Sequence, residues 1–150
     1  MQVRAPQEGD YARWRELYRA YADFYETEQT DEAADRAWSW IRDPDHEVKA
    51  LLVADDAGRV VGLAHYRPFA RPLAASTGCY LDDLFVEPAA RGTGAADALL
   101  GELRQIAESH GWTVVRWITA DDNHRARSTY DRVATRTMWV TYDMAVPAEE

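Results

Sequence analysis

An α/β fold, with one mixed sheet and helices on both faces, is predicted by three observations. Apolar residues recur at helical spacing in some stretches and run or alternate as in strands elsewhere. Two apolar runs flank a short Asp/Gly turn, the mark of an antiparallel hairpin. A strand-like run, Tyr80–Val86, is followed by a glycine-containing turn and then a helix-like run, Asp97–Ser109.

The elements follow in order. Gln2–Ala5 is a short opening strand. Asp10 is placed to cap a helix running through Tyr25, with Trp14, Leu17, Tyr18, Tyr21 and Tyr25 at helical spacing. Thr30 or Asp31 starts a second helix, with Ala34, Ala37, Trp38 and Ile41 inward, and Asp43-Pro44-Asp45 ends it. Val48–Ala54 and Val60–Pro68 form the hairpin around Asp55-Asp56-Ala57-Gly58. Arg67–Gly78, with two prolines and small residues, reads as a loop, and Tyr80–Val86 is the third strand of this group. A helix over Thr93–Ser109 stops at His110-Gly111. Thr113–Thr119 is strand-like, Asn123–Val133 helical, and Met138–Val146 a closing strand. The predicted order is β-α-α-β-β-β-α-β-α-β. No linker, repeat or low-complexity tract divides the 150 residues, so a single domain over 1–150 is expected.

A hydrophobic content of 47% fits a globular protein. With Cys79 alone, no internal disulfide can form, in keeping with a reducing compartment. Met1 leads directly into polar sequence, and no apolar run approaches the roughly 20 residues of a membrane span. A cytoplasmic location is expected. The net charge of -9 disfavours nucleic acid and anionic membrane as partners and suits cationic substrates such as amines. His46, His65, His110 and His124 show no ligand spacing, so no metal is expected. His65, in a strand, reads as structural, and Cys79 as a small buried residue. Trp38, Trp40, Trp112, Trp117 and Trp139 read as core.

Arg91-Gly92-Thr93-Gly94-Ala95-Ala96 is the most informative stretch. Glycines let main-chain N–H groups approach an anion, and a helix start adds its positive dipole end. A nucleotide P-loop would need Gly-Lys-Ser/Thr where Ala95-Ala96-Asp97 stands. A dinucleotide fold would need its glycines directly after the strand, but Glu87-Pro88-Ala89-Ala90-Arg91 intervenes. Tyr80-Leu81-Asp82-Asp83-Leu84-Phe85-Val86 places two carboxylates in an otherwise apolar strand, where an unpaired buried charge is costly.

Val86–Ala96, with Arg91, Gly94 and Ala96 as its core, resembles the pyrophosphate loop of the GNAT N-acetyltransferase superfamily. Asn123-His124-Arg125-Ala126-Arg127-Ser128-Thr129-Tyr130 resembles that family's asparagine-to-tyrosine helix. Within the family, the Asp82-bearing strand is most similar to that of diamine N-acetyltransferases. The resemblance covers most of the chain and implies a mostly antiparallel sheet. It implies a single acetyltransferase domain that moves an acetyl group from acetyl-CoA to a small-molecule primary amine, polyamine-like or amino-acid-like. Cofactor contacts would come from main-chain groups at Leu84, Phe85 and Val86, from Arg91, Gly92, Thr93, Gly94, Ala95, Ala96 and Asp97, and from Asn123. Asp97 favours the helix dipole but repels diphosphate unless its carboxylate points away. Tyr130 would protonate the departing sulfur, since a phenol is neutral at pH 7. Asp82 would take the amine proton through a water, with a salt bridge as its structural alternative. Tyr25 and Glu26 would touch the acceptor. Homodimerisation through the last strands is the family habit. A peptide acceptor, or an acyl-CoA-binding regulatory domain without catalysis, remain the alternatives.

Overall fold

The computed structural model describes residues 1–148. They divide into two compact units, residues 1–118 and a second beginning at Thr119.

The first unit is built on a five-stranded sheet of order β1-β2-β3-β4-β5. Its elements are β1 (Gln2–Arg4), α1 (Tyr11–Phe24), α2 (Asp31–Arg42), β2 (Lys49–Ala54), β3 (Val60–Arg71), β4 (Ser76–Val86), α3 (Ala95–His110) and β5 (Val115–Arg116). β1 to β4 pair antiparallel in sequence order, and β5 joins β4 in parallel. The sheet is therefore mixed and mostly antiparallel, the α/β arrangement the resemblance implies. No helix among the described residues is long and apolar enough to cross a membrane.

Strand alternation sorts the core. Leu52, Leu63 and Phe85 lie in one cross-strand row and pack with Trp14 and Leu17 of α1 and Ala34 of α2. Leu51 and Ala64, one residue along, are buried on the other face, where α3 brings the fully buried Leu99 and Leu103 against the strands. Val53 and Val86 flank Gly62 in the next row. A Cβ on Gly62 would stand 2.8 Å from the Phe85 carbonyl oxygen and 2.9 Å from Val53 Cγ1, so only glycine fits there.

Local chemistry sets the helix ends. Thr30 caps α2, its hydroxyl accepting from the Ala33 N–H at 3.1 Å. Gly111, at φ +70°, closes α3. Asp10 stands just before α1, but its carboxylate takes Arg4 (2.7 and 2.9 Å) and the Gln7 N–H instead of a helix amide.

In the first unit three expected element bounds need correction. Arg67–Gly78 is not a loop: β3 runs on to Arg71, and β4 begins at Ser76 after a turn over Pro72–Ala75. Pro68 is tolerated because it lies beyond the end of β2 and opposite Cys79, whose N–H is turned to Val114. Gly78 leaves the space that the Phe69 ring fills, for a Cβ there would meet that ring at 2.6 Å. Thr113–Thr119 yields only the two residues of β5. The helix after the glycine turn starts at Ala95 rather than Thr93, because Gly92 and Gly94 sit at φ +79° and +91°, outside helical space.

The second unit holds α4 (His124–Val133). The closing strand expected over Met138–Val146 is not formed, and no strand is found among residues 135–148. Met138, Trp139, Val140, Tyr142, Met144 and Val146 are exposed, since an alternating apolar segment is buried only when a neighbouring strand pairs with it. Trp139 (87% exposed) and Trp40 (40% exposed) are not core residues; Trp14, on the inward stripe of α1, is the fully buried one.

Candidate functional site

The glycine turn is open. Gly92, Thr93 and Gly94 are exposed, and a Cβ built on Gly92 or Gly94 meets nothing within 4 Å. Both glycines adopt left-handed φ, which turns successive N–H groups toward one side of the bend. Ala98 N–H makes the first α3 bond, to the Gly94 carbonyl at 2.9 Å. Among the described residues no hydrogen bond occupies the main-chain N–H of Gly92, Gly94, Ala95 or Ala96. The Thr93 hydroxyl bends back to the Ala90 carbonyl, and Ala95 is buried beneath the turn. This is an unblocked nest of donors at a helix start, which fits a diphosphate. Asp97, in the first turn of α3, is half-buried and has one carboxylate oxygen, Oδ1, away from solvent.

The approach to the turn is pinned. Glu87 accepts from Arg13 (2.6 Å) and Arg59 (2.7 Å), and its N–H donates to Val61 at 2.9 Å. A short 3-10 turn over Pro88–Ala90 then leads to Arg91. Arg91 is half-buried: its Nε donates to the Val86 carbonyl at 3.4 Å, and its guanidinium lies 5.8 Å from the Phe24 ring centre.

β4 carries a bulge at Asp82. His65 pairs with Asp83 and Tyr66 with Leu81, so Asp82 is the extra residue. Simple alternation would put Leu81 and Asp83 on one face. The bulge instead turns Leu81, beside Tyr66, to the α3 side and Asp83, beside His65, to the α1 side. The parallel pairing with β5 covers only Cys79 and Tyr80, so past the bulge β4 has an open edge within this unit. Phe85 aims its carbonyl at Gly62 of β3 and its ring at the core. By alternation the main-chain groups of Leu84 and Val86 face the open edge. Phe85 is thus not placed as its two neighbours are.

The carboxylates have distinct partners. Asp83 Oδ2 accepts from Tyr18 Oη and from His65 Nδ1, each at 2.8 Å. Trp14 Nε1 donates to His65 Nε2 at 2.9 Å, which fixes the Nδ1–H tautomer. Burial works against the Asp83 charge, but hydrogen bonds from His65, Tyr18 and Tyr21 outweigh it and hold the carboxyl below its usual value. Tyr18 and Tyr21 are pushed well up, by burial first and then by Asp83. Asp82 pairs with Arg67 Nε at 3.1 and 3.3 Å. Burial raises its pKa, with Arg67 pulling the other way. Burial also pushes the Cys79 thiol up to about 11, so it is no ready nucleophile.

From Asp83 an aromatic series leads outward: Tyr18 to Tyr21 at 5.8 Å, Tyr21 to Tyr25 at 4.9 Å, and Tyr25 to Phe24 at 5.1 Å between ring centres. Tyr25 and Glu26 are exposed at the end of α1, Glu26 at φ +53°. Sequence reasoning passed over Tyr18, Tyr21 and His65 as site residues. The signal was available in part, because two carboxylates in an apolar strand demand buried donors.

In the second unit Asn123 caps α4, its Oδ1 accepting from the Ala126 N–H at 3.3 Å. Tyr130, half-buried, lies two turns further along the same helix. Arg127 donates to the Asp121 carbonyl at 2.6 Å and so secures the entry to the helix. The first unit therefore gathers the glycine turn, the β4 residues and the end of α1, while Asn123 and Tyr130 sit together on α4.

Residues 14–134 match the family model described as the acetyltransferase (GNAT) family. The chain is 30% identical over 141 residues to the D-amino-acid N-acetyltransferase HPA3 of Saccharomyces cerevisiae, across 93% of this chain and 88% of that protein. It is 29% identical over 151 residues to the uncharacterized N-acetyltransferase YhfO of Bacillus subtilis, across 99% and 100%. Among solved structures, a ribosomal-protein-alanine N-acetyltransferase from Brucella melitensis biovar Abortus 2308 superposes with a TM-score of 0.80 at 21% identity, across 97% of this chain and 100% of that one. At that identity the likeness is one of fold.

Proposed function

Because the chain belongs to the acetyltransferase (GNAT) family and is an N-acetyltransferase, we propose that it acetylates the primary amine of a small molecule, using acetyl-CoA. The single observation that carries the cofactor is the open turn: glycines at positive φ, with main-chain N–H groups at Gly92, Gly94, Ala95 and Ala96 that no other group of the described residues occupies. Those amides and that of Thr93 would hold the diphosphate. Arg91 would add positive charge, and Asp97 would lie behind the amides. Leu84 and Val86 would offer main-chain partners along the open edge of β4, in the manner of an added strand. Acetyl-CoA, when bound, supplies an acetyl group activated as a thioester.

A protonated amine cannot attack, and an amine of lysine type has a pKa near 10.4. We assign Asp82 to remove that proton through a water, since its raised pKa makes it a better base than an ordinary aspartate. Asp83, saturated by His65, Tyr18 and Tyr21, holds its charge and keeps the α1 face of the site negative. Tyr25 and Glu26 would meet the acceptor at the end of the aromatic series. Asn123 fixes the start of α4, and Tyr130 on that helix gives its phenolic proton to the departing sulfur. The family match runs across the boundary between the two units, and we read both as parts of one catalytic domain.

An amine panel with acetyl-CoA, followed by thiol release and by mass spectrometry of the product, tests the proposal. N-acetylated product is expected with at least one small primary amine. Tyr130→Phe is expected to lower kcat by about 10²-fold or more, within the span of general-acid catalysis, while leaving acetyl-CoA affinity nearly intact. Equal turnover by both proteins would remove Tyr130 from the acid role.

A further inference from the structure

We propose that Arg67 anchors an acceptor carboxylate, and hence that the acceptor is an α-amino acid rather than a simple amine or a diamine. This rests on the amine-acetylation reading above and specifies its substrate class. Arg67 lies on β3, two residues past His65, and pairs with Tyr80 across the sheet. Its Nε alone is engaged, by the two oxygens of Asp82 at 3.1 and 3.3 Å. Among the described residues neither terminal nitrogen of its guanidinium has a hydrogen bond. The guanidinium stands 4.9 Å from the Tyr80 ring centre, so both the ring and Asp82 hold it. Its side chain is 34% exposed and within reach of a small ligand.

A guanidinium is a planar fork that matches a carboxylate with two parallel bonds. Here one edge is spent on Asp82, and the end formed by the two terminal nitrogens remains for a second carboxylate. Arg67 shares the α1-facing side of β3 and β4 with Asp83, which carries a charge of its own. His65 spends Nδ1 on Asp83 and Nε2 on the Trp14 donor, so neither ring nitrogen is open to a ligand there. Asp82 and Asp83 are thus the carboxylates beside Arg67, and the next guanidinium along this side, Arg116, lies over the Phe69 ring at 5.4 Å.

A diamine would be recognised by the carboxylates and repelled by Arg67. A zwitterion suits both open groups, its ammonium toward Asp82, with the Asp83 charge behind, and its carboxylate on the free end of Arg67. Loss of the ammonium proton to Asp82 through water then leaves the amine ready while the carboxylate stays fixed.

Matched pairs that differ only by the carboxylate provide the test: phenylalanine with 2-phenylethylamine, alanine with ethylamine, and lysine with cadaverine, each amino acid in both D and L forms. The wild-type protein is expected to favour the amino acid in at least one pair by about tenfold or more in kcat/KM, the scale of a charge-assisted contact. Arg67→Gln is expected to raise KM for that amino acid by a similar factor beyond any change it causes for the decarboxylated partner, because loss of the Asp82 contact falls on both members of a pair alike. Arg67→Lys, which keeps the charge and loses the fork, should fall between the two. A role confined to steadying Asp82 would depress both members of a pair equally, and that result would overturn the proposal. Turnover of amines with no preference for any amino acid would also overturn it and leave the acetyltransferase reading standing. Turnover of no amine at all would overturn both.

Discussion

Replacing Gly94 by Trp is expected to abolish acetyl-CoA binding, with a loss of about a hundredfold or more in calorimetry. Two effects combine. Gly94 is at φ +91°, where an L residue is strained by about 1–2 kcal/mol, so the turn would relax and its N–H groups would lose their common direction. The indole would also stand over the open side of the bend, where a Cβ meets nothing within 4 Å. Hydrogen bonds to a charged group are worth about 1.5–3 kcal/mol each, so two lost donors alone account for a hundredfold. The substitution lies at an exposed loop outside the core, so the far-UV circular dichroism of the variant should match that of the parent. Unchanged affinity in a folded variant would take the turn out of the site.

Asp83→Ala is expected to cost about 3 kcal/mol or more of stability, measured by chemical denaturation, because the buried donors it serves would be left without their acceptor. Tyr18 and His65 both point at Oδ2, and the Asp83 side chain is only 18% exposed. The same group gives the parent protein a defined acid sensitivity. Its pKa in the folded state is lowered from 3.8, so its contribution is fully present above that value and is lost as pH falls through the lower folded-state pKa. In the Asp83→Ala variant that increment of acid destabilisation should be missing. A variant as stable as the parent at pH 7 would mean that the cluster is held together by packing alone.

What the chain made legible, and what it did not, follows from the range of each signal. The Asp55–Gly58 hairpin turn and the Gly92–Gly94 bend are local: their conformations are dictated by residues within four or five positions. The Thr30 cap and the inward stripe of α1 with Trp14 are of the same kind. The bulge at Asp82 is not local, since it exists only as a mismatch in count between β4 and β3. Simple alternation along β4 alone therefore lacks the register that places Asp82 and Asp83. The extension of β3 through Pro68 was hidden for a similar reason. A proline forbids a ladder bond only on the side where a partner strand stands, and β2 has ended by then. Met138–Val146 shows the converse: its alternation is strand-like, yet a strand needs a neighbour, and none pairs with it among the described residues. For the site, the glycine turn and the two carboxylates were legible as residues. Their partners Tyr18, His65 and Arg67 were not, because they come from α1 and β3 and meet the β4 carboxylates only after the sheet has formed.

The most direct measurement is a titration of ¹⁵N-labelled protein with coenzyme A, following the main-chain amide resonances. Occupation of the bend by a diphosphate should move the amides of Gly92, Gly94, Ala95 and Ala96 strongly and saturably, more than that of Gly111 at the far end of α3. Saturable binding that leaves those four resonances in place would contradict the account.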